Sequence, residues 1–177
     1  MIVKHNMADK YKRMATILFA LYLLILCWII LLKMGFTLSA PDSIRKINLV
    51  PLAESYYADG RLNAREIVEN ALLFVPFGVF CAMLYGKSRA ICRIGAGFLL
   101  SLAFEITQYV LSIGVSDVTD LLSNTAGAAA GTLFMALSYR ITKNKARLDR
   151  ALTIIALILC ILFLALAALL MLANIER

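Results

Sequence analysis

Long apolar stretches alternate with short charged ones along the chain. The apolar runs cover residues 15–32, 70–85, 94–113, 121–139 and 151–173, and together they contain a single charged side chain, Glu105. A helix needs about 20 apolar residues to cross the hydrocarbon core of a bilayer. The pattern therefore predicts an all-α integral membrane protein, a bundle of five transmembrane helices. It divides the chain into an N-terminal segment (1–14), a first helix (15–32), a long polar loop (33–66), a core with three helices (67–139), a basic loop (140–150), and a fifth helix with the C-terminus (151–177). The first and fifth runs are almost uniformly large and apolar, and predict lipid-facing packing helices. Trp28 stands near the end of the first as an interfacial aromatic.

Composition sharpens this picture. Of 177 residues, 62% are hydrophobic and 16% charged, with a mean hydropathy of +0.85. Ordinary soluble domains are about a quarter charged. A soluble enzyme, a disordered chain and a disulfide-rich secreted module are all excluded. The net charge of +7 would suit nucleic acid only if the basic residues shared one face. Instead they fall in alternate loops: Lys4, Lys10, Lys12 and Arg13; Lys87, Arg89 and Arg93; Arg140, Lys143, Lys145, Arg147 and Arg150. The positive-inside rule then predicts a cytoplasmic N-terminus and an extracytoplasmic C-terminus. The expected partners are membrane lipids, with no nucleic acid.

Lys10, Lys12 and Arg13 before the first run, and Leu38-Ser39-Ala40 after it, have some features of a signal peptide. The run is too long for one, and Pro41 would follow the cut, so a retained anchor is expected. Cys27, Cys81, Cys92 and Cys160 form no C-x-x-C pair and are expected to pack as small apolar residues. His5 is the only histidine and falls in an N-terminus expected to fray. No Ser-His-Asp triad and no histidine-based zinc site can be assembled.

The candidate chemistry lies in the polar residues of the three central spans. Ser101, Glu105, Gln108 and Ser112 are spaced by 4, 3 and 4, which puts them on one helix face. A carboxylate at the centre of a membrane helix costs about 2.5–3.5 kcal/mol on insertion scales. Glu105 must be sheltered in the bundle or neutralised, either as a site residue or in an interhelical hydrogen bond. Gly114-Val115-Ser116 predicts a tight turn. Asp117, Asp120, Asn124, Gly127 and Gly131 follow at steps of 3 and 4, as one stripe on the fourth helix. The two glycines permit close helix approach, and the two aspartates can cap the helix or serve a site. Asn63 and Glu66 have capping-box spacing, with Arg65, Glu69 and Asn70 in the first turns of the second helix. Pro76 and Gly78 predict a kink, either functional or merely tolerated.

In the loop, Asn48-Leu49-Val50-Pro51 reads as an extended or turn segment. The residues through Ala53, Glu54, Tyr56 and Tyr57 would lie on the membrane surface or fold back between helices, and Asp59-Gly60 marks a turn. A rise of 1.5 Å per residue puts Glu105 roughly 12 Å below the end of its span, with Gln108 and Asn124 shallower. One outward-facing polar cleft accounts for all these groups, although this depth separates Glu105 from the two aspartates.

Four motifs in this order carry a resemblance: Asn48-Leu49-Val50-Pro51; Glu69-Asn70-Ala71-Leu72-Leu73-Phe74-Val75-Pro76-Phe77-Gly78; Ser101, Glu105 and Gln108; and Asp117-Val118-Thr119-Asp120-Leu121-Leu122-Ser123-Asn124-Thr125-Ala126-Gly127. From about 48 to 139 the chain resembles the VanZ-like family of bacterial membrane proteins. The family often has Arg before the first loop acid, where this chain has Ser116. The resemblance implies a multi-pass protein of the bacterial plasma membrane with a role in lowering glycopeptide (teicoplanin) binding at the cell surface.

The site that results has Glu105, Asp117 and Asp120 as its reactive candidates. Gln108, Asn124, Ser101, Glu69, Asn70, Arg61 and Arg65 are its binding candidates, the arginines being suited to phosphates. Its ligand would be a lipid or a lipid-linked cell-wall intermediate. The alternative is a membrane enzyme on such a substrate, using either a metal held by the carboxylates and amides or Glu105 as general acid or base. A small transporter is a third reading, and the glycine faces and terminal helices would allow an oligomer. The residues name no cofactor.

Overall fold

The computed structural model describes residues 2–32, 47–53, 55–56, 62–112, 115–142 and 144–175, with backbone alone for 2–8, 32, 170–171 and 173–175. Five helices account for nearly all of them: α1 (Ile2–Leu32), α2 (Ala64–Leu84), α3 (Ala90–Leu111), α4 (Val118–Ile141) and α5 (Lys145–Ile175). Each contains a segment long and apolar enough to cross a membrane.

Burial on the helices runs opposite to that of a soluble bundle. Leu99, Ile106, Val110, Leu122 and Leu133 are exposed, while Ser101, Glu105, Gln108, Asn124 and Thr132 are buried. Apolar side chains outside and polar ones inside suit a hydrocarbon solvent, where lipid tails replace a hydrophobic core and polar groups must find partners. The protein is a multi-pass helical membrane protein.

Helix ends follow capping rather than hydropathy. The first helix starts at Ile2, not at residue 15, so the N-terminal segment expected to fray is helical. The last starts at Lys145, where Asn144 accepts the Arg147 N–H at 3.1 Å. Asn63 caps α2 as its spacing predicted: its Oδ1 accepts the Glu66 N–H at 3.5 Å, and its Nδ2 donates to the Glu66 carboxylate at 3.0 Å. The helix runs on through Pro76. Ser112 closes α3 in the left-handed region, with φ 55.

The fold is all-α as expected, with one two-residue ladder between the helices. Strand β1 (Ile47–Asn48) pairs in parallel with β2 (Ser116–Asp117), with Ile47 opposite Ser116 and Asn48 opposite Asp117. Parallel pairing needs a long crossover, and the α2–α3 hairpin supplies it.

The chain forms two compact units, residues 24–138 and residues 1–23 with 139–177. Glycines set the packing of the first. A Cβ added at Gly127 would fall on the Ala71 carbonyl oxygen, one at Gly131 on that of Val75, and one at Gly78 on that of Ala128. Helices α2 and α4 therefore touch backbone to backbone. Phe74 is fully buried and meets Phe104 edge-on at 6.4 Å. In the other unit, the Tyr139 hydroxyl donates to Asp149 at 2.6 Å, and Arg150 lies 4.5 Å over the Tyr11 ring.

Candidate functional site

The polar residues gather where α3 gives way to α4. Glu105, 5% exposed, faces inward from α3 and accepts the Asp117 backbone N–H at 2.8 Å, with the Ser116 side chain beside the same carboxylate. This corrects the depth reckoning, which kept Glu105 away from the aspartates. Ser116 and Asp117 form the short strand β2 within reach of the α3 side chain; Gly114 of the expected Gly114-Val115-Ser116 turn lies outside the described residues. Asp117 also lies off the α4 stripe. It precedes the helix and caps it, its Oδ1 accepting the Thr119 N–H at 2.7 Å. Asp117 and Asp120 are the charged neighbours that Glu105 senses.

The remaining groups connect to this centre by cross-element hydrogen bonds. Asn70 of α2 donates to Asp120 of α4 at 2.6 Å. Asn124, one turn further along α4, donates to Ser101 of α3 at 2.9 Å. Gln108 donates to the Ile30 carbonyl of α1 at 3.2 Å. Arg65 and Glu69, in contrast, pair with each other at 2.6 Å on an exposed side of α2, where the arginine side chain is 83% exposed. Arg61, the other expected phosphate ligand, lies outside the described residues.

Two participants escaped the sequence reading. Asn48 on β1 is buried, and its Oδ1 accepts the Val50 N–H at 3.1 Å, an Asx turn just before Pro51. Thr119 accepts the Leu52 N–H at 2.9 Å, and Leu52 sits at φ 66. The loop segment 47–53 thus folds back onto the start of α4. An Asn two residues before a pre-proline position was the available signal for Asn48; nothing local announces Thr119.

Among the described residues no three His, Cys, Asp or Glu side chains are grouped so as to hold a metal ion. The described cysteines Cys27, Cys81, Cys92 and Cys160 are free thiols, and only Cys81 is buried.

Five apolar helices and one polar meeting point of five chain segments define a helical membrane protein with a buried polar centre. The family model VanZ/LLP1 matches residues 19–141, and the chain belongs to that family. The match reaches back into α1, well before the first motif at Asn48. The chain is 32% identical over 149 residues to Protein VanZ of Enterococcus faecium, covering 83% of this chain and 88% of that protein. No solved structure matches.

Proposed function

We infer that this protein resides in the bacterial plasma membrane, with its N-terminus in the cytoplasm, its C-terminus outside and its polar centre opening outward. There it lowers teicoplanin binding at the cell surface by binding a lipid or a lipid-linked cell-wall intermediate. Orientation rests on the basic residues, twelve of the eighteen being in the N-terminus and the 87–93 and 140–150 segments. The glycopeptide role rests on family membership and on the relationship to Protein VanZ. One observation carries the site. Segments far apart in sequence converge around Glu105 through the bonds Glu105–Asp117, Ser101–Asn124 and Asn70–Asp120. A membrane chain bears the cost of burying these groups only where they serve packing or a ligand, and an acid in a membrane interior marks function by default.

The test is teicoplanin susceptibility of a sensitive host expressing the protein, with membrane abundance followed through an epitope tag. Glu105→Ala and Asp120→Ala should each lose protection at unchanged abundance. Full protection by both variants would overturn the assignment.

A further inference from the structure

The charge balance around Glu105 is one-sided. The partners and charged neighbours of Glu105 among the described residues are neutral or acidic: the Asp117 N–H, the Ser116 side chain, and the Asp117 and Asp120 carboxylates. The Asp117 carboxylate accepts the Thr119 N–H. Among the described residues neither carboxylate has a basic side chain as partner. A buried carboxylate without a counter-charge is expensive, so Glu105 is placed to favour a cationic partner.

Two buried amides beside these acids are only half used, and they differ in polarity. Asn124 is 3% exposed and donates its Nδ2 to Ser101, which stands one helical turn from Glu105; its acceptor, Oδ1, has no partner. Asn48 is 8% exposed and uses its Oδ1 on Val50; its donor, Nδ2, has no partner. Asn48 is the register partner of Asp117 in the parallel ladder, so the two side chains lie on one side of it. Unsatisfied buried polar atoms are uncommon in native proteins and call for an explanation. Here the unused acceptor lies deeper along α4 and the unused donor lies in the covering segment.

From this ordering we propose that the centre takes a primary-ammonium head group. Its N–H donors point toward Asn124 and Glu105, and its trailing phosphate or carbonyl oxygen accepts from Asn48. The inference deepens the function proposed above and rests on it for the outward opening. The chemistry is that of an ethanolamine-type lipid head group or of a free zwitterion of the same kind. Entry would be past segment 47–53, which two ladder residues and the Leu52–Thr119 bond hold in place.

The test uses the full chain in detergent micelles supplied with dioleoyl phosphatidylethanolamine or dioleoyl phosphatidylcholine, with bound lipid counted by native mass spectrometry. The two lipids share phosphate and tails, but the choline nitrogen has no N–H to donate. The ethanolamine lipid should be retained roughly tenfold better, the equivalent of one charge-assisted hydrogen bond. Asn124→Leu should bring the ratio near one. Asn48→Asp keeps the acceptor that holds Val50 and removes the donor, so it should lower retention without unfolding the loop. Soluble phosphoethanolamine separates the sources. Displacement of the lipid means the head group alone suffices, and resistance to displacement means the anchored lipid is read; either result supports an ammonium ligand. Equal retention of the two lipids by the unaltered protein overturns the proposal, as does an undiminished preference in both variants. Teicoplanin protection lost in Glu105→Gln despite equal lipid retention would retain the functional reading and remove only the ligand class.

Discussion

Replacing Gly127 by alanine should unfold the bundle more easily, while the same replacement at Gly95 should not. At Gly127 the new Cβ would fall on the Ala71 carbonyl oxygen, with the Ala71 Cα at 3.0 Å; around Gly95 nothing lies within 4 Å. The obstruction at 127 is backbone, which cannot rotate away, so α2 and α4 must part by roughly 1.5 Å to restore ordinary contact. A gap of about 0.5–1 Å forfeits a quarter to a half of each dispersion contact, and overpacking of this kind costs about 1–3 kcal/mol. Gly95→Ala instead gains about 0.5–1 kcal/mol through helix propensity. The two substitutions are chemically identical and should differ in sign. Unfolding in mixed micelles against increasing SDS, followed by circular dichroism, reads this directly. The parting would also strain the site, because Asn70 adjoins Ala71 and must reach Asp120 at 2.6 Å. Gly127→Ala should therefore lose teicoplanin protection along with stability. A Gly127→Ala midpoint equal to that of Gly95→Ala would refute the packing argument.

Two further outcomes follow from the hydrogen bonds. Thr119→Val keeps the side-chain shape but removes the acceptor of the Leu52 N–H; it should cost about 1 kcal/mol and speed hydrogen exchange across residues 47–53 while leaving the helices unchanged, and unchanged exchange there would deny that this bond holds the segment. Arg65→Ala breaks an exposed pair with Glu69; its SDS midpoint should stay within about 1 kcal/mol of the unaltered protein, and a larger loss would mean that Arg65 is built into the polar centre.

The five helices were legible because the solvent they face is apolar on every side except the bundle interior. Runs free of charge can then be read off directly. The polar stripe was legible for the same reason: a spacing of 3 and 4 residues identified Ser101, Glu105, Gln108 and Asn124, and all four are buried. The true ends of α1 and α5 were not legible, since hydropathy marks where the membrane is and helices continue into charged flanks. The approach of Glu105 to Asp117 was missed because depth was measured along straight helices and Asp117 was counted as helical. The pairing of Asn48 with Asp117 joins residues separated by two helices, and short parallel ladders have no local signature.

Four bonds at the polar centre each tie a different pair of elements: α3 to β2 through Glu105, α3 to α4 through Ser101 and Asn124, α2 to α4 through Asn70 and Asp120, and α3 to α1 through Gln108. The same side chains are thus candidate ligands and interhelical fasteners, which raises the question of whether their removal reports function or folding. Magnitudes separate the two. Single hydrogen bonds between membrane helices average about 0.6 kcal/mol, because the separated helices also find polar partners. The glycine contacts of α4 with α2 and the Phe74–Phe104 packing involve no site residue, and an obstruction there costs several times as much. A bundle held chiefly by that packing survives the loss of one polar fastener. Normal abundance with lost protection in Glu105→Ala or Asp120→Ala is then a statement about the site, whereas parallel loss of both is the signature expected of Gly127→Ala.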